Sequence, residues 1–336
     1  MMKILVTGAT SGLGRNCVDF LLKNNVEVTC IGRNVSEGEV LSDAGATFYA
    51  IDLSNKDSLN QLGIFKQFDA IWHCAALSSP WGKSEDFERH NINATINLLG
   101  FARTSNTRSF IHISTPAIYF DYKHRYEIEE SFRAKIPVND YARTKLEAEQ
   151  HVLEAATNNK DIHYTILRPR AIFGPYDRVL LPRLLTLLKQ KNGKLPLPRA
   201  GKTVIDMTFV GNVVHSMWLA TNSTNITSGN IFNITNDEPT KISHVLEKLF
   251  VHELHYNMLV KNIPYPVASI SAKLLEIIAK VTNKEPKLTS YSAGILAFDM
   301  TLSIDKAKTM LDYNPIFSLD EGIKITAKWL RENENG

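Results

Sequence analysis

The sequence lacks the features that are typical of secreted, disulfide-bonded or membrane-spanning proteins. It has only three cysteines, an odd number without the spacing of metal ligands, and we interpret Cys17, Cys30 and Cys74 as reduced core residues. It has no uninterrupted apolar run of about 18 residues, the minimum for a membrane-spanning helix. The most apolar stretch, 267–281, is broken by serines and charged residues and predicts an amphipathic helix. We therefore predict no membrane span, no disulfide framework and no metal site.

A signal peptide is not predicted either, because the first residues lead directly into an apolar strand and a glycine turn. The charges are nearly balanced, with 38 Lys and Arg residues against 35 Asp and Glu residues, so nothing favours nucleic acid as a partner. A hydrophobic content of 44% argues against disorder. These features are typical of a cytoplasmic globular protein that acts on a small molecule.

Short β-branched runs alternate with helical patterns in the first half of the chain. This alternation predicts an α/β fold of the Rossmann type, a doubly wound parallel sheet with crossover helices. The predicted strands are 3–7, 27–31, 48–51, 70–74, 108–114 and 163–167, and the predicted helices are 16–23, 84–103 and a third from Asn139 or Asp140 to about Thr157.

Beyond Pro169 this rhythm loosens, and prolines such as Pro175, Pro182 and Pro196 interrupt short helical patterns. We predict a dinucleotide-binding domain over 1–174, to which a strand near 230–235 returns. The segments 175–229 and 236–332 are predicted to form a smaller, mostly helical substrate-binding region.

A glycine-rich turn follows the first strand and opens the first helix, where backbone N–H groups and the helix terminus can bind a pyrophosphate. Gly8 would allow the tight turn, Gly12 the approach of phosphates, and Gly14 close packing of helix and strand. The spacing Gly-x3-Gly-x-Gly is a variant of the dinucleotide fingerprint. An ordinary glycine turn is the alternative. The predicted cofactor contacts of this turn are Gly8, Thr10, Ser11, Gly12, Leu13 and Gly14.

The end of the second strand indicates which cofactor is preferred. An acidic residue there would accept from the ribose 2′-hydroxyl of NAD, whereas this strand ends in Gly32-Arg33. The glycine leaves space for a 2′-phosphate, and the guanidinium can bind it bidentately, so NADP(H) is favoured over NAD(H). A solvated loop arginine is the alternative for Arg33. After the third strand, Asp52 could accept from the adenine amino group while Leu53 covers its face.

Tyr141 and Lys145 stand four residues apart on a predicted helix, so both side chains lie on one face. A neighbouring ammonium favours the phenolate form of a tyrosine, whose ordinary pKa is about 10. The pair therefore predicts a proton donor and acceptor. Taken alone, the spacing also fits a solvated tyrosine beside a surface lysine.

Five motifs occur in the order and roughly the spacing of one family: the glycine turn, His73-Cys74-Ala75-Ala76, Ser114-Thr115, Tyr141-x3-Lys145, and Leu167-Arg168-Pro169 before Gly174-Pro175. In these the chain resembles the extended branch of the short-chain dehydrogenase/reductase superfamily. The distal segments 204–215, 232–239 and 313–322 resemble the 3β-hydroxysteroid dehydrogenase and sterol-4-carboxylate dehydrogenase group, whose bacterial relatives include 2-alkyl-3-oxoalkanoate reductases. The glycine spacing differs, resembling the single-domain members, and Thr115 stands where many extended members have serine.

The resemblance implies a role for each motif. Tyr141 would act as general acid or base, Thr115 would hydrogen-bond the same substrate oxygen, and Lys145 would bind the nicotinamide ribose. Ala75 and Ala76 would leave room beneath the cofactor, while 169–172, including Pro169 and Ile172, would line the nicotinamide edge. Ser114 is expected to support the site or to be satisfied by backbone.

Other polar residues receive weaker interpretations. We expect His73 to be structural, and Asp206 and His215 to be hydrogen-bonding supports. Asn91 and Asn97 are interpreted as solvated asparagines on a helix, with binding of main chain or an ordered water by one of them as the alternative. Arg178 could meet an anionic substrate group, or else pair with its neighbour Asp177.

Three functions remain open at this point. The first is an NADP(H)-dependent dehydrogenase or reductase of a hydrophobic hydroxy or oxo compound, including a β-hydroxy acid that loses CO2 after oxidation. The second is a nucleotide-sugar epimerase, dehydratase or reductase, which would hold NAD tightly. The third is a cofactor-sensing regulator without turnover. The resemblance also implies a homodimer built through the helices 84–103 and 139–157.

Overall fold

The computed structural model describes residues 1–63, 67–177, 180–282 and 284–333. Its strands are β1 Lys3–Thr7, β2 Glu27–Gly32, β3 Thr47–Ala50, β4 Ala70–His73, β5 Ser109–Ile113, β6 Arg125–Ile128, β7 His163–Pro169, β8 Ile172–Phe173, β9 Lys194–Pro198, β10 Val204–Ile205, β11 Thr208–Phe209, β12 Asn230–Ile234, β13 Thr240–Lys241, β14 Leu259–Ile263 and β15 Met300–Leu302.

The helices are α1 Gly12–Lys23, α2 Val35–Asp43, α3 Ser84–Phe87, α4 Ala94–Thr104, α5 Asp140–Asn158, α6 Leu180–Gln190, α7 Val210–Asn222, α8 Ile242–Leu246, α9 Tyr265–Thr282, α10 Ser290–Ile295, α11 Asp305–Leu311 and α12 Leu319–Asn333. Two π-helical segments, Glu88–Asn93 and Glu247–Glu253, follow α3 and α8. Short 3-10 turns are Lys56–Leu62, Pro116–Tyr119 and Arg199–Gly201.

The main sheet has seven strands in the order β3-β2-β1-β4-β5-β7-β12, and every neighbouring pair is parallel. The order runs outward in both directions from β1 and β4. Loops that leave the carboxyl ends of these two strands therefore part to opposite sides and open a crevice between them. This confirms the predicted Rossmann-type sheet, and the strand expected near 230–235 pairs with β7.

Two apolar layers cover the sheet. Along β1, Ile4 and Val6 pack on one face with α1 and α7, whereas Leu5 packs on the other with α4 and α5. This alternation follows from the two-residue period of a strand whose faces are both covered. Cys17 and Cys30 are buried free thiols in the first layer, and Cys74 is a partly buried free thiol packed against it.

The distal part of the chain has its own apolar cluster, which includes Leu195, Phe250 and Ile323. It is helical, as expected, but it also contains short strands that the sequence did not predict. Strands β13, β10, β15 and β6 form a four-stranded sheet, and β14 pairs in parallel with β9. Strands β10, β13 and β15 have only two or three residues and give no readable hydrophobic period. The five-residue strands are also hard to recognise, because β9 contains two prolines and β14 does not alternate apolar and polar residues.

Helix α9 covers the whole apolar stretch 267–281, which is a helix as predicted but exposes much of its apolar surface. Ala268, Ala272 and Ala279 are buried on its inner face, whereas Ile270 and Ile277 are exposed. Within the ranges that the structure covers, no helix has the length and apolar character needed to cross a bilayer.

Candidate active site

The glycine turn is packed tightly on two sides. Gly8 has φ +67°, and a Cβ added to it would lie 2.9 Å from backbone atoms of Ala75. A Cβ on Gly14 would lie 2.2 Å from the carbonyl oxygen of Gly8, so only glycine lets α1 approach the turn this closely. A Cβ on Gly12 would meet nothing within 4 Å. The turn is therefore open on the side of Gly12, which fits an approaching pyrophosphate.

The loop that follows β8 contacts this turn, and no sequence motif predicts the contact. The Gly12 N–H donates to the carbonyl oxygen of Tyr176 at 3.0 Å. Asn16 Nδ2 donates to the carbonyl oxygens of Gly12 and Pro175, both at 2.9 Å. The Tyr176 ring lies 5.1 Å from the Arg15 guanidinium carbon. The end of β8 and the start of α1 are thus held together.

At the end of β2, Gly32 lies against Thr10, with an added Cβ only 2.5 Å from Thr10 Cγ2. The following Arg33 side chain is exposed, and its Nη1 lies 3.3 Å from His90 Nε2. The guanidinium is therefore free to turn toward a ligand at this strand end. A role in binding a 2′-phosphate stays a prediction.

Asp52 forms a local turn with Ser54. Its Oδ1 accepts from the backbone N–H and the hydroxyl of Ser54, at 2.9 and 2.8 Å. Burial acts to raise the pKa of Asp52, but these bonds lower it on balance, which keeps the carboxylate charged. Leu53 is buried in the core, and its carbonyl oxygen accepts from Asn97 Nδ2 at 2.9 Å. Asn97 thus binds main chain, which was the alternative to the solvated asparagine that we favoured, and Leu53 has little surface to offer an adenine.

Tyr141 lies in the first turn of α5, which begins where Asn139 Oδ1 accepts from the Ala142 N–H at 2.8 Å. Its hydroxyl faces the side chains of Thr115 and Ser78, and hydrogen bonding to these two lowers the tyrosine pKa. Burial has the larger and opposite effect, so the pKa of Tyr141 is raised. Sequence reasoning paired Tyr141 with Thr115 but missed Ser78, which belongs to no motif.

Thr115 directly follows β5. Its Oγ1 accepts from the Ala117 N–H at 3.1 Å and caps the 3-10 turn Pro116–Tyr119. This bond fixes the hydroxyl at the carboxyl edge of the sheet, where its own O–H remains able to donate. The neighbouring Ser114 has a buried hydroxyl without a hydrogen-bond partner in the described part of the chain.

Lys145 is 2% exposed and points beneath the end of β5. Its Nζ donates to the carbonyl oxygen of Ile113 at 2.6 Å and lies 3.3 Å from His112 Nε2. Burial lowers the pKa of Lys145 to about 8. The expectation that the ammonium depresses the Tyr141 pKa is not met in this structure, because burial of the phenol dominates and the lysine charge is directed to strand β5.

His73 has a structural position, as expected. Its Nδ1 lies 2.8 Å from Thr7 Oγ1 and its Nε2 lies 3.0 Å from Thr95 Oγ1. Burial lowers the pKa of His73 to about 3, so the ring is neutral at physiological pH. The histidine thus ties the glycine turn to helix α4.

Asn91 positions the segment that carries Ser78. Its Oδ1 accepts from the Leu77 N–H at 2.7 Å, and its Nδ2 donates to Thr144 Oγ1 at 3.0 Å. Because Thr144 precedes Lys145 on α5, this buried amide sets the distance between the loop after β4 and the tyrosine helix.

The remaining predicted residues are placed as follows. Ala75 lies beside Gly8, and Ala76 is exposed next to it. Pro169 ends β7, and Ile172 in β8 pairs with Thr208 in β11. These residues share the carboxyl edge of the sheet with the glycine turn, as a cofactor lying across that edge requires.

The structure describes Asp206 and His215, which were expected to be supports, but it does not describe Arg178. Asp206 is buried, and its Oδ2 accepts from the Leu302 N–H at 2.7 Å. The ring of His215 is 6.2 Å from that of Tyr313. Arg178, the predicted contact for an anionic group, lies outside the described residues.

Comparison with known proteins agrees with this arrangement. A model of the NAD dependent epimerase/dehydratase family matches residues 4–235. Uncharacterized protein YbjS of Escherichia coli (strain K12) is 40% identical over 334 residues, which cover 99% of this chain and 98% of that protein. Sterol-4-alpha-carboxylate 3-dehydrogenase ERG26, decarboxylating, from Candida albicans is 27% identical over an alignment of 352 residues that covers 99% of each chain.

The fold is shared with solved structures at lower identity. UDP-glucose 4-epimerase from Thermotoga maritima superposes with a TM-score of 0.79 at 22% identity, covering 99% of this chain and 100% of that one. At this identity the likeness concerns the fold. The family match, by contrast, spans more than half of the chain and includes the glycine turn, Thr115, Tyr141 and Lys145. The chain therefore belongs to the NAD dependent epimerase/dehydratase family.

Proposed function

We propose that this protein is an NADP(H)-dependent oxidoreductase that interconverts a secondary alcohol and a ketone on a hydrophobic substrate, such as a sterol-like or long-chain β-hydroxy or β-keto compound. The observation that carries the proposal is the Tyr141 hydroxyl facing Thr115 and Ser78 at the edge of the sheet where the glycine turn lies. An acid and two hydroxyl groups thus converge where a carbonyl oxygen can be bound.

In the direction of reduction, the Tyr141 hydroxyl would give its proton to the carbonyl oxygen, and in oxidation the phenolate would accept it from the alcohol. Its raised pKa keeps the phenol protonated at neutral pH, which suits the acid role. Thr115 and Ser78 would orient the same oxygen. The nicotinamide cofactor supplies or accepts the hydride.

Lys145 is suited to bind the cofactor ribose. An ammonium has three donors, and its nearest described partners are the Ile113 carbonyl oxygen and His112. A donor thus remains for a ribose hydroxyl at the end of β5. Its charge would also stabilise a phenolate that forms during turnover, although it does not set the resting pKa of Tyr141.

The surroundings of Tyr141 favour an apolar substrate. The ring of Tyr291, whose hydroxyl lies within electrostatic range of Tyr141, packs against Phe120 at 5.7 Å between centroids. Tyr122 and Phe298 extend this aromatic cluster, at 5.0 and 6.4 Å from Phe120. Phe120 is buried in the core of this cluster, and the partly exposed rings of Tyr122, Tyr291 and Phe298 would suit a steroid or alkyl chain better than a sugar nucleotide. The name of the Candida albicans relative, a sterol-4-alpha-carboxylate 3-dehydrogenase, supports the same substrate class.

The preference for NADP(H) rests on the exposed Arg33, whose only described side-chain hydrogen bond is with His90, because the Thr10 side chain fills the space beside Gly32 that was expected for a 2′-phosphate. We also propose a homodimer that forms through α4 and α5. Ile96 on α4 is 41% exposed and would lie at such an interface. Static light scattering at micromolar protein tests the dimer, and a monomer mass would contradict it. The cytoplasmic location stays a prediction.

The test begins with the purified protein. Denatured protein should release little NAD or NADP, and the native enzyme should oxidise long-chain β-hydroxy compounds with NADP⁺. Tightly bound NAD together with turnover of UDP-sugars would instead identify an epimerase.

Tyr141→Phe should lower turnover about 100-fold or more, the usual contribution of general acid catalysis. Tyr164→Phe is the matched control, since the Tyr164 hydroxyl is buried without a partner in the described chain. A wild-type protein that binds NADPH but turns over no alcohol or ketone, with Tyr141→Phe binding equally well, would support the cofactor sensor and overturn the proposal.

A further inference from the structure

Arg170 is a buried cation for which the described residues provide no counter-ion. It follows β7 directly, its side chain is 8% exposed, and its Nε has no hydrogen-bond partner. Within the described ranges, no carboxylate oxygen lies within the 4.0 Å of its guanidinium nitrogens that defines an ion pair. A charged group with these properties is rare, because charges are seldom buried unless paired.

Arg168, two residues earlier, shows how this fold satisfies an arginine that has only a structural role. It is fully buried and binds Glu149 through two parallel bonds, Nε to Oε1 at 2.8 Å and Nη2 to Oε2 at 2.5 Å. Its Nη1 also donates to the Tyr119 hydroxyl at 2.6 Å. The contrast indicates that Arg170 is not held in place by an analogous internal partner.

The position of Arg170 is nevertheless fixed by its backbone. Its N–H donates to the Ile234 carbonyl oxygen at 3.1 Å, and its own carbonyl oxygen accepts from Thr208 Oγ1 at 2.6 Å. The guanidinium is thereby presented from a rigid junction between β7 and β8. An arginine whose main chain is held in this way loses less conformational freedom on binding an anion than one on a mobile loop.

Arg170 directly follows β7 at the carboxyl edge of the sheet, and Thr115 follows the end of the neighbouring strand β5. The guanidinium lies within electrostatic range of the Tyr291 hydroxyl, and Tyr291 is in turn within range of Tyr141. The other ionisable group that acts on Arg170 is Asp206, whose carboxyl is committed to the Leu302 N–H and whose pKa burial raises to about 6. Asp206 accepts this main-chain bond and forms no ion pair with Arg170, so the guanidinium has no direct carboxylate contact among the described residues.

We infer that Arg170 binds a carboxylate of the substrate, so that the enzyme acts on a β-hydroxy or β-keto acid and not on the neutral alcohol or ketone. The planar guanidinium matches a carboxylate bidentately, and the Tyr291 hydroxyl can donate to the same group. This inference rests on the function proposed above. In the oxidation step itself, the carbinol carbon gives a hydride to the nicotinamide and its hydroxyl gives a proton to Tyr141, while the carboxylate is unchanged.

The experiment compares β-hydroxypalmitate with its methyl ester, which keeps the chain and the carbinol but removes the charge. Wild-type enzyme should have a much lower KM for the acid. Arg170→Gln should raise the KM for the acid about 100-fold or more, as expected for loss of one partner of a buried charge pair, and change kcat and the ester kinetics little. Arg170→Lys should recover part of the loss. Arg183→Gln, which alters an exposed arginine paired with Glu285 on the surface, is the control and should have no effect.

Equal losses for acid and ester in Arg170→Gln would show a merely structural role and overturn the inference, as would a wild-type enzyme that does not prefer the acid. Either result leaves the proposed oxidoreductase activity standing. If neither compound is oxidised, the proposed function fails instead. Calorimetric binding of β-hydroxypalmitate to wild-type protein and to Arg170→Gln then decides the carboxylate site by itself, since binding that is equal in both proteins and matched by the methyl ester would refute it.

Discussion

Lys145 donates from Nζ to the carbonyl oxygen of Ile113 at 2.6 Å, which holds its ammonium beneath the end of β5. His112 Nε2, at 3.3 Å, is its other described partner. His112 is buried, and burial keeps its pKa well below the ordinary value, so the ring presents a neutral acceptor to the ammonium. The lysine is thus positioned by strand β5 from below, and the tyrosine by helix α5.

The first prediction concerns the pH dependence of stability. Burial places the pKa of Lys145 at about 8 in the folded protein. In the unfolded chain the pKa is about 10.4, so the unfolded state binds this proton more tightly. Burying the charged ammonium of Lys145 therefore lowers the free energy of unfolding, and this loss is fully present below about pH 8. It disappears as the pH rises to about 10.4, which increases the free energy of unfolding by at most about 3 kcal/mol. Urea unfolding of wild type should therefore show stability rising between about pH 7.5 and about pH 9.5 relative to Lys145→Met. Identical pH profiles for the two proteins would contradict this assignment.

The second prediction concerns cofactor choice. Arg33→Ala should raise the KM for NADPH about tenfold or more, since a lost phosphate contact worth 1.4 kcal/mol changes an equilibrium tenfold, and should leave the KM for NADH nearly unchanged. Arg89→Ala is the control, because Arg89 contacts the same His90 ring at 3.3 Å but pairs with Asp86. Steady-state kinetics with both cofactors provide the measurement. A parallel change for NADPH and NADH would remove Arg33 from the specificity site.

The third prediction concerns the glycine turn. Gly14→Ala would place a methyl group 2.2 Å from the Gly8 carbonyl oxygen, so α1 must move away from the turn. Overpacking of this kind typically costs about 1–3 kcal/mol, and we expect a lower Tm together with weaker cofactor binding. Gly100→Ala in α4 is the control, since an added Cβ there meets nothing within 4 Å and should stabilise the helix slightly. Thermal melts with and without NADPH distinguish the two, and a Gly14→Ala protein with unchanged melting would contradict the packing argument.

The fourth prediction concerns the buried ion pair. Glu149→Gln removes the negative charge that Arg168 contacts through two bonds and should destabilise the protein by about 3–5 kcal/mol. Glu154→Gln, on the exposed side of the same helix, should change stability little. The double variant Glu149→Leu with Arg168→Met should regain much of the loss, since replacing both members of a buried pair is tolerated better than replacing one. Chemical denaturation measures all three, and a single variant as stable as the control would show that the pair is not needed.

The main sheet could be predicted from the sequence because its strands are buried on both faces and read as continuous apolar runs, as in Lys3–Thr7 and Asn230–Ile234. Tyr141, Lys145 and Thr115 could be identified because their spacing is local and their order matches a family. Each of these signals lies within a few consecutive residues.

The features that escaped prediction depend on contacts between distant segments. Ser78 has no motif and reaches Tyr141 only because Asn91 positions its loop. The pairing of Gly12 with Tyr176 joins residues far apart in sequence. For the anionic group we predicted Arg178, whereas the structure draws attention to Arg170, whose burial without a partner cannot be read from a chain in which Arg168 looks equivalent.

The contact between Gly12 and Tyr176 affects how tightly the glycine turn can bind a dinucleotide. A pyrophosphate oxygen and the Tyr176 carbonyl oxygen would compete for one N–H, and Tyr176 is also anchored by the Trp329 ring at 5.3 Å. Because binding would require loss of the Gly12–Tyr176 hydrogen bond, worth about 0.5–1.5 kcal/mol, this competition would lower the affinity for the dinucleotide several-fold. A change in the distal part of the chain that breaks the hydrogen bond between Gly12 and Tyr176 would remove this competition and so raise the affinity for the dinucleotide.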